Sequence, residues 1–152
     1  MAVDVEAGRF TVGVFQDIAW AEKGIAALIR EGLAIESLSI IGKESPEMNS
    51  FIEGVLGTPQ SITVHDLGQV VARGPLIAAL QGSDQGLTKA GIAGTMRRVG
   101  FQAHDGRIFH VLTARGGVLV AIHSEPRAAD ALAVLHSYGG GNAAIGAWTG
   151  RV

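Results

Sequence analysis

The chain has no cysteine, few aromatic residues and little charge. Of its 152 residues none is Cys, 5% are aromatic and 17% are Asp, Glu, Lys or Arg. Without cysteine there is no disulfide, no thiol catalysis and no Cys-based zinc site. Hydrophobic residues make up 47%, whereas disordered chains are polar and highly charged. We therefore expect a single folded domain over residues 1–152, with a core of small aliphatic side chains.

Clustered positive charge and long apolar runs are lacking as well. The net charge is −2 and the only adjacent basic pair is Arg97-Arg98, so the positive footprint of nucleic-acid-binding proteins is missing. The apolar stretch 70–80 contains Arg73 and Pro75, whereas a membrane span needs about 20 apolar residues. The N-terminus carries early acidic residues and no apolar run, unlike a secretory signal. We expect a cytoplasmic protein with no membrane span and no nucleic-acid partner.

A strand followed by a helix is predicted near the start of the chain. The run FTVGVF at 10–15 is typical of a strand. Asp17 follows at the position where a side-chain oxygen can cap a helix. Apolar residues then recur at three- and four-residue spacing until Gly32, which predicts one buried helix face. These residues are Ile18, Ala21, Ile25, Leu28 and Ile29.

The same unit is predicted again towards the C-terminus. The run VLVAIH at 118–123 indicates a strand, Ser124 can cap the helix after it, and the Gly-rich segment 138–142 ends that helix. When Phe15 is placed over Ile122, the two units align without a gap. The alignment predicts an internal repeat with pseudo-two-fold symmetry. The alternative is that there is no internal repeat, because any two strand-helix units show this degree of similarity.

Further elements are predicted between the two units. We expect strands at 37–41 and 61–66, short helices within 44–56 and over 76–80, a helix at 85–99 capped by Asp84, and a helical face within 101–115. Gly91 and Gly94 should each weaken the 85–99 helix by about 1 kcal/mol relative to alanine, which indicates a packing reason for them.

The pattern predicts an α/β (α+β sandwich) fold, ferredoxin-like or related. Because a strand-helix unit buries its helix only by lying on a sheet, we expect both units on one mixed sheet with additional helices. Residues 1–8 are expected to be a flexible N-terminus. Residues 141–152 are expected to be a Gly-rich tail that docks on its own domain or on a neighbour.

No motif points to catalysis, a metal or a cofactor. The five histidines lack the spacing of a metal site. The Gly-rich run 138–142 follows a helix, whereas a dinucleotide-binding loop lies between a strand and a helix. No G-x-S-x-G elbow surrounds Ser124. The histidines are His65, His104, His110, His123 and His136, and the acidic residues interpreted as a solvated face after the first helix are Glu36, Glu44, Glu47 and Glu53.

The ends of the two repeated strands give a candidate ligand-binding site. Strand ends in α/β sheets often open onto sites, and here they carry Gln16-Asp17 and His123-Ser124. Capping accounts equally well for Asp17 and Ser124, so the alternative is that these residues only start helices.

Three segments together resemble a bacterial family of heat-induced or general stress proteins. They are TVGVFQDIAWAEKGIAALIREGLAIESLSIIGK at 11–43, ARGPLIAAL at 72–80, and GLTKAGIAGTMRRVGFQAHDGRIFHVLTARGGVLVAIHSEPRAADALAVLHSYGG at 86–140. The resemblance implies a stress-associated cytoplasmic protein with no established activity, and it carries over no catalytic residue. Many members have a longer glycine-zipper centre. This chain has a muted version around 82–94, so their membrane-associated role is not implied here.

Two functions follow as hypotheses. The first is a non-enzymatic stress-associated protein that acts as a homo-oligomer or by binding a protein partner, with Trp20 and Trp148 as candidate interface residues because Trp is enriched at interfaces. The second is a module for a small ligand, cofactor or metal, with a pocket between the two strand-helix units near Gln16 and His123. An enzyme is the weakest interpretation, because it requires titratable groups that converge in space, which only a structure can show.

Overall fold

The computed structural model describes residues 10–123, which form five strands and five α-helices. The predicted helix after Ser124, the N-terminus 1–8, and the tail 141–152 with Trp148 lie outside the described residues. The strands are β1 (Phe10–Phe15), β2 (Leu38–Lys43), β3 (Gln60–Val64), β4 (Gly68–Arg73) and β5 (Val118–His123). The α-helices are α1 (Ile18–Arg30), α2 (Pro46–Val55), α3 (Pro75–Gln81), α4 (Gly86–Thr95) and α5 (Ala103–Ala114), and short 3-10 helices span Ile35–Ser37 and Met96–Val99.

The strands form one sheet in the order β1-β5-β2-β4-β3. Every described pairing is antiparallel, so β1, β2 and β3 run in one direction and β4 and β5 in the other. The predicted α/β (α+β) class is confirmed. The sheet itself is antiparallel rather than mixed, because strands of the same direction are never neighbours among the described residues.

Each helical connection passes over one intervening strand. α1 joins β1 to β2 with β5 between them, α2 joins β2 to β3 with β4 between them, and α3–α5 join β4 to β5 with β2 between them. This split strand-helix-strand connection is the one used in ferredoxin-like folds. As a result, the C-terminal ends of β1, β2 and β3 all lie at the same end of the sheet.

Helices cover both faces of the sheet. Successive side chains of a strand point to opposite faces. Val14 therefore packs in a core with α3–α5, while the neighbouring Phe15 packs in a second core with α1 and α2. In β5, Leu119 and Val120 divide between the two cores in the same way. No helix within residues 10–123 has the length and apolar character required to cross a membrane.

The hairpin of β3 and β4 shows what the sequence pattern missed. The run from Asp66 to Arg73 is not resolved as a strand by periodicity, yet Gly68–Arg73 forms β4. The turn before it depends on Asp66 with φ 64° and Gly68 with φ 95°, while Leu67 N–H donates to Val64 O at 3.0 Å. Asp and Gly tolerate positive φ better than most residues, so the Asp-Leu-Gly triplet was the available signal.

The predicted helix 85–99 is broken into shorter pieces. Gly91 takes φ 77° and ψ −176°, which kinks α4, and a 3-10 turn replaces its last part. The predicted cap is wrong as well. Gln85 is the residue before α4 and makes no side-chain cap, while Asp84 binds Arg98 instead.

Candidate functional site

The structure does not bring Gln16 and His123 together. In the antiparallel pair of β1 and β5, Phe10 lies opposite His123 and Phe15 lies opposite Val118. Gln16 comes directly after Phe15 and therefore lies at the opposite end of this strand pair from His123. A shared pocket at these strand ends would have needed parallel strands, so its geometric basis is lost.

The described residues of that candidate site have local structural roles. The Asp17 carboxylate accepts from Trp20 N–H at 2.9 Å and caps α1. The half-buried His123 ring stacks on Phe10, with centroids 4.5 Å apart and planes 25° from parallel. Gln16 is exposed, and Ser124 lies outside the described residues. Capping and packing thus account for Asp17 and His123.

A different site lies where α1 and α2 begin. Since β1 and β2 terminate at the same end of the sheet, both helices start there, and both lie on the same face of the sheet. Asp17 caps α1, and Ser45 Oγ caps α2 by accepting from Met48 N–H at 3.0 Å. Pro46 follows at the first helical position, where its fixed φ is favourable. The two capped starts are thereby held side by side.

A groove of about 490 Å³ runs between the two helix starts, and we call it the α1–α2 groove. Phe51 is nine-tenths buried at its base, and Ile18 is half-buried against the same core. Glu22 stands on the α1 wall and Glu47 on the α2 wall, and both are exposed. The lining residues are Ile18, Glu22, Pro46, Glu47, Ser50 and Phe51.

The two groove carboxylates have no ion-pair partner among residues 10–123. Glu47 lies in the first turn of α2, where a negative charge is favourable beside the helix N-terminus. That role does not extend to Glu22, which lies a turn further into α1. An apolar base between two carboxylates is suited to an organic cation or to a basic side chain with an apolar stem. The sequence pattern placed Glu47 on a solvated face, and only the side-by-side helices reveal the groove.

Trp20 is 37% exposed, but it does not line the groove. Lys23 Nζ lies 4.9 Å from the centre of its ring, a cation–π contact. At 3.6 residues per turn, Trp20 and Ala27 share the flank of α1 that faces away from Ile18. The predicted interface role of Trp20 would therefore use a surface separate from the groove.

The other polar groups of the described region do not converge. No group of three or more His, Asp and Glu that could hold a metal is found within residues 10–123. His65 Nε2 lies 3.4 Å from Asp66 Oδ2 at the exposed β3–β4 turn. On α5, His110 Nδ1 and Thr113 Oγ1 are buried without a hydrogen-bond partner.

The strongest described ion pair joins Asp84 and Arg98. The guanidinium donates two hydrogen bonds to the carboxylate, at 2.9 and 2.6 Å, and a third to Leu80 O at 3.1 Å. The pair thereby ties the end of α3 to the 3-10 turn after α4. The hydrogen bonds from Arg98, followed by its charge, hold the pKa of Asp84 below its ordinary value.

Replacing Asp84 with asparagine is expected to lower the melting temperature near neutral pH but not in acid. A carboxyl whose pKa is lowered by folding contributes stability above its unfolded pKa, and that contribution disappears as the pH falls through the folded value. Thermal melts of the unaltered protein and the variant, from neutral pH down to a pH below the folded pKa of Asp84, test the expectation. Glu53→Gln is the control, because Glu53 is exposed and has no described ion pair. A difference of equal size at every pH would contradict it.

Comparison with known proteins adds no relative. No family model matches this sequence, and neither the curated proteins nor the solved structures gave a match. The resemblance to general stress proteins therefore stays a prediction from the residues.

Proposed function

We propose that this chain is a non-enzymatic binding protein whose α1–α2 groove takes a basic, apolar segment of a partner protein. The observation that supports the proposal is the pair Glu22 and Glu47, which stand on opposite walls above the apolar base formed by Phe51 and have no described ion-pair partner. Lysine or arginine would fit, because its aliphatic stem can lie on the base while its charge meets the carboxylates.

The shape of the groove favours a protein segment over a small molecule. Small-molecule sites enclose 70–90% or more of their ligand, whereas this groove lies open between two surface helices with Pro46, Glu47 and Ser50 exposed. A segment that extends beyond the groove can contact the helix walls on either side. The hypothesis of a small-ligand pocket near Gln16 and His123 lacks comparable support, since those residues lie at opposite ends of β1 and β5.

The cellular setting is proposed from the sequence resemblance. A cytoplasmic, stress-associated bacterial protein without catalytic activity would act by holding a partner, and this agrees with a groove that carries charge and apolar surface but no converging catalytic groups. Self-association is the competing mode, with a second copy of the chain as the occupant.

Charge removal in the groove is expected to weaken binding of a basic peptide. The probe is a short peptide of alternating lysine and leucine, and its counterpart has glutamate for lysine. The lysine peptide should shift the amide NMR signals of Ile18, Ser50 and Phe51. Because an exposed ion pair is worth up to about 1 kcal/mol and two are removed, Glu22→Gln with Glu47→Gln should weaken binding by up to about thirtyfold.

The control is a substitution of another carboxylate on α2. Glu53→Gln removes a carboxylate of α2 that does not line the groove, and it should leave the affinity unchanged. Equal weakening by Glu53→Gln, or equal binding of the glutamate peptide, would reject the groove as a basic-segment site. Sedimentation at rising protein concentration distinguishes self-association: a dimer lost with the Glu22 and Glu47 substitutions would make the second copy the occupant.

A further inference from the structure

The groove-facing side of α1 continues past the α1–α2 groove as apolar surface. Glu22 lines the groove, and Ile29 follows seven residues later in the same helix. Seven residues advance an α-helix by about 10.5 Å and return to within about 20° of the same side. Ile29 is 41% exposed, so a large apolar side chain stands in solvent on the groove side of α1.

The groove-facing side of α2 continues in the same way, but it ends in a glycine. Glu47 lines the groove, and Gly54 follows seven residues later. Gly54 is exposed, and a methyl carbon added to it would meet nothing within 4 Å. Glycine weakens a helix relative to alanine, and neither packing nor a positive φ requires it at this position. The surface beyond the groove is therefore open on its α2 side.

The spacing along both helices fits a third helix better than an extended chain. An occupant that contacts the groove carboxylates and Ile29 needs side chains on one side about 10.5 Å apart. Residues seven apart in an α-helix have that spacing, whereas same-side residues of a strand recur about every 6.7 Å and miss it. Packed helices also approach to about 8–10 Å between their axes, and the missing side chain of Gly54 permits that approach.

We infer that the occupant of the α1–α2 groove is an amphipathic helix of a partner protein, laid along α1 and α2. Its basic residues contact Glu22 and Glu47. Its apolar residues cover Ile29, and its backbone comes closest to α2 at Gly54. This inference rests on the proposed function, and it specifies the conformation and the residue spacing of the basic segment. Grooves of this kind bind amphipathic helices through side chains at such helical spacings.

A designed peptide of about 18 residues tests the inference, since an isolated helix of this length can form in water. It is built from alanine and glutamine, with two leucines one turn apart and a lysine seven residues after each leucine. The lysines come last because a basic residue is favourable near the C-terminus of a helix. NMR titration of the full-length chain should move the amide signals of Ile29 and Gly54, and the peptide should gain helicity by circular dichroism. A central proline breaks the peptide helix and should weaken binding at least about tenfold.

Two substitutions in the chain test the path of the helix beyond the groove. Gly54→Leu fills the open side of α2 and should weaken binding of the peptide at least about tenfold. Ala78→Leu adds the same side chain to an exposed position of α3, on the other face of the sheet, and should leave the affinity unchanged. Ile29→Gln removes apolar surface and should weaken binding about fivefold, whereas Val111→Gln, at an exposed position of α5, should not. The melting temperature of Gly54→Leu should not fall, because the added Cβ meets no neighbour and leucine favours a helix.

The contrary outcomes distinguish a wrong helix from a wrong groove. If Glu22→Gln with Glu47→Gln weakens binding but Gly54→Leu and Ile29→Gln do not, the basic-segment site stands and the helix is rejected. Equal binding of the proline peptide, or binding of the short lysine-leucine peptide alone, would also reject the helix. If neither peptide binds, or if none of these substitutions weakens binding, the groove and the proposed function are both rejected. A dimer in sedimentation that Gly54→Leu dissociates would make a second copy of this chain the occupant.

Discussion

Replacing Gly74 with alanine is expected to destabilise the fold by about 4 kcal/mol, a large part of the stability of a typical domain. Gly74 connects β4 to α3 with φ 125° and ψ 173°, a conformation open almost only to glycine. An added methyl group would also overlap Leu38 O and Ser39 Oγ. These atoms belong to the buried central strand β2, and Ser39 Oγ already accepts from Leu76 N–H at 2.8 Å, so neither can move away cheaply.

Urea denaturation of Gly74→Ala and Gly116→Ala separates strain from overlap. Gly116 also has a positive φ, 99°, but an added methyl group there meets nothing within 4 Å. Its replacement should cost about 1–2 kcal/mol from backbone strain alone. Equal losses in the two variants would show that overlap with β2 contributes nothing.

The second large effect is expected at Gly91, where alanine should cost about 3 kcal/mol. Its φ of 77° with ψ of −176° kinks α4, and an added methyl carbon would lie 2.7 Å from His65 O. Relief would require α4 to move away from the end of β3. The hydrogen bond from His65 N–H to Leu87 O should then open, so the His65 amide should exchange faster in the variant.

Gly68→Ala is the matched control for Gly91. Gly68 has φ 95° and open space around the missing side chain, so it reports the strain of a positive φ in the adjoining β3–β4 turn. Urea melts should show a smaller loss for Gly68→Ala than for Gly91→Ala. A loss as large as that of Gly91→Ala would place the sensitivity in the turn rather than in the contact between α4 and β3.

Local sequence signals predicted the elements well where composition and capping agree. The strands 10–15 and 118–123 and the α1 cap at Asp17 agree with the structure. The glycines that weaken the predicted helix 85–99 indicated a packing reason. For Gly91 that reason is the kink in α4, which brings its backbone close to His65. The prediction of Asp84 as a cap is wrong because its carboxylate binds Arg98, which lies in the 3-10 turn that replaces the last part of the predicted helix.

The candidate site depended on information that no local pattern holds. Gln16 and His123 follow similar strands, but only the pairing register shows that they lie at opposite ends. The α1–α2 groove depends on the position of β5 between β1 and β2. Because β5 is antiparallel to both, β1 and β2 run in the same direction, so the helices that follow them start side by side and Ile18 and Phe51 line the same groove. This strand order joins distant parts of the chain, so periodicity within either segment cannot reveal it.

The position of β5 between β1 and β2 also sets an order on folding during synthesis. Apart from the β3–β4 hairpin and the pairing of β2 with β4, the sheet is held together by a strand that emerges last among the described elements. Until residues 118–123 leave the ribosome, β1 has no described partner and cannot be joined to β2. Long-range pairing of this kind is slow. The apolar β1 strand must therefore stay unaggregated while residues 16–117 are being synthesised.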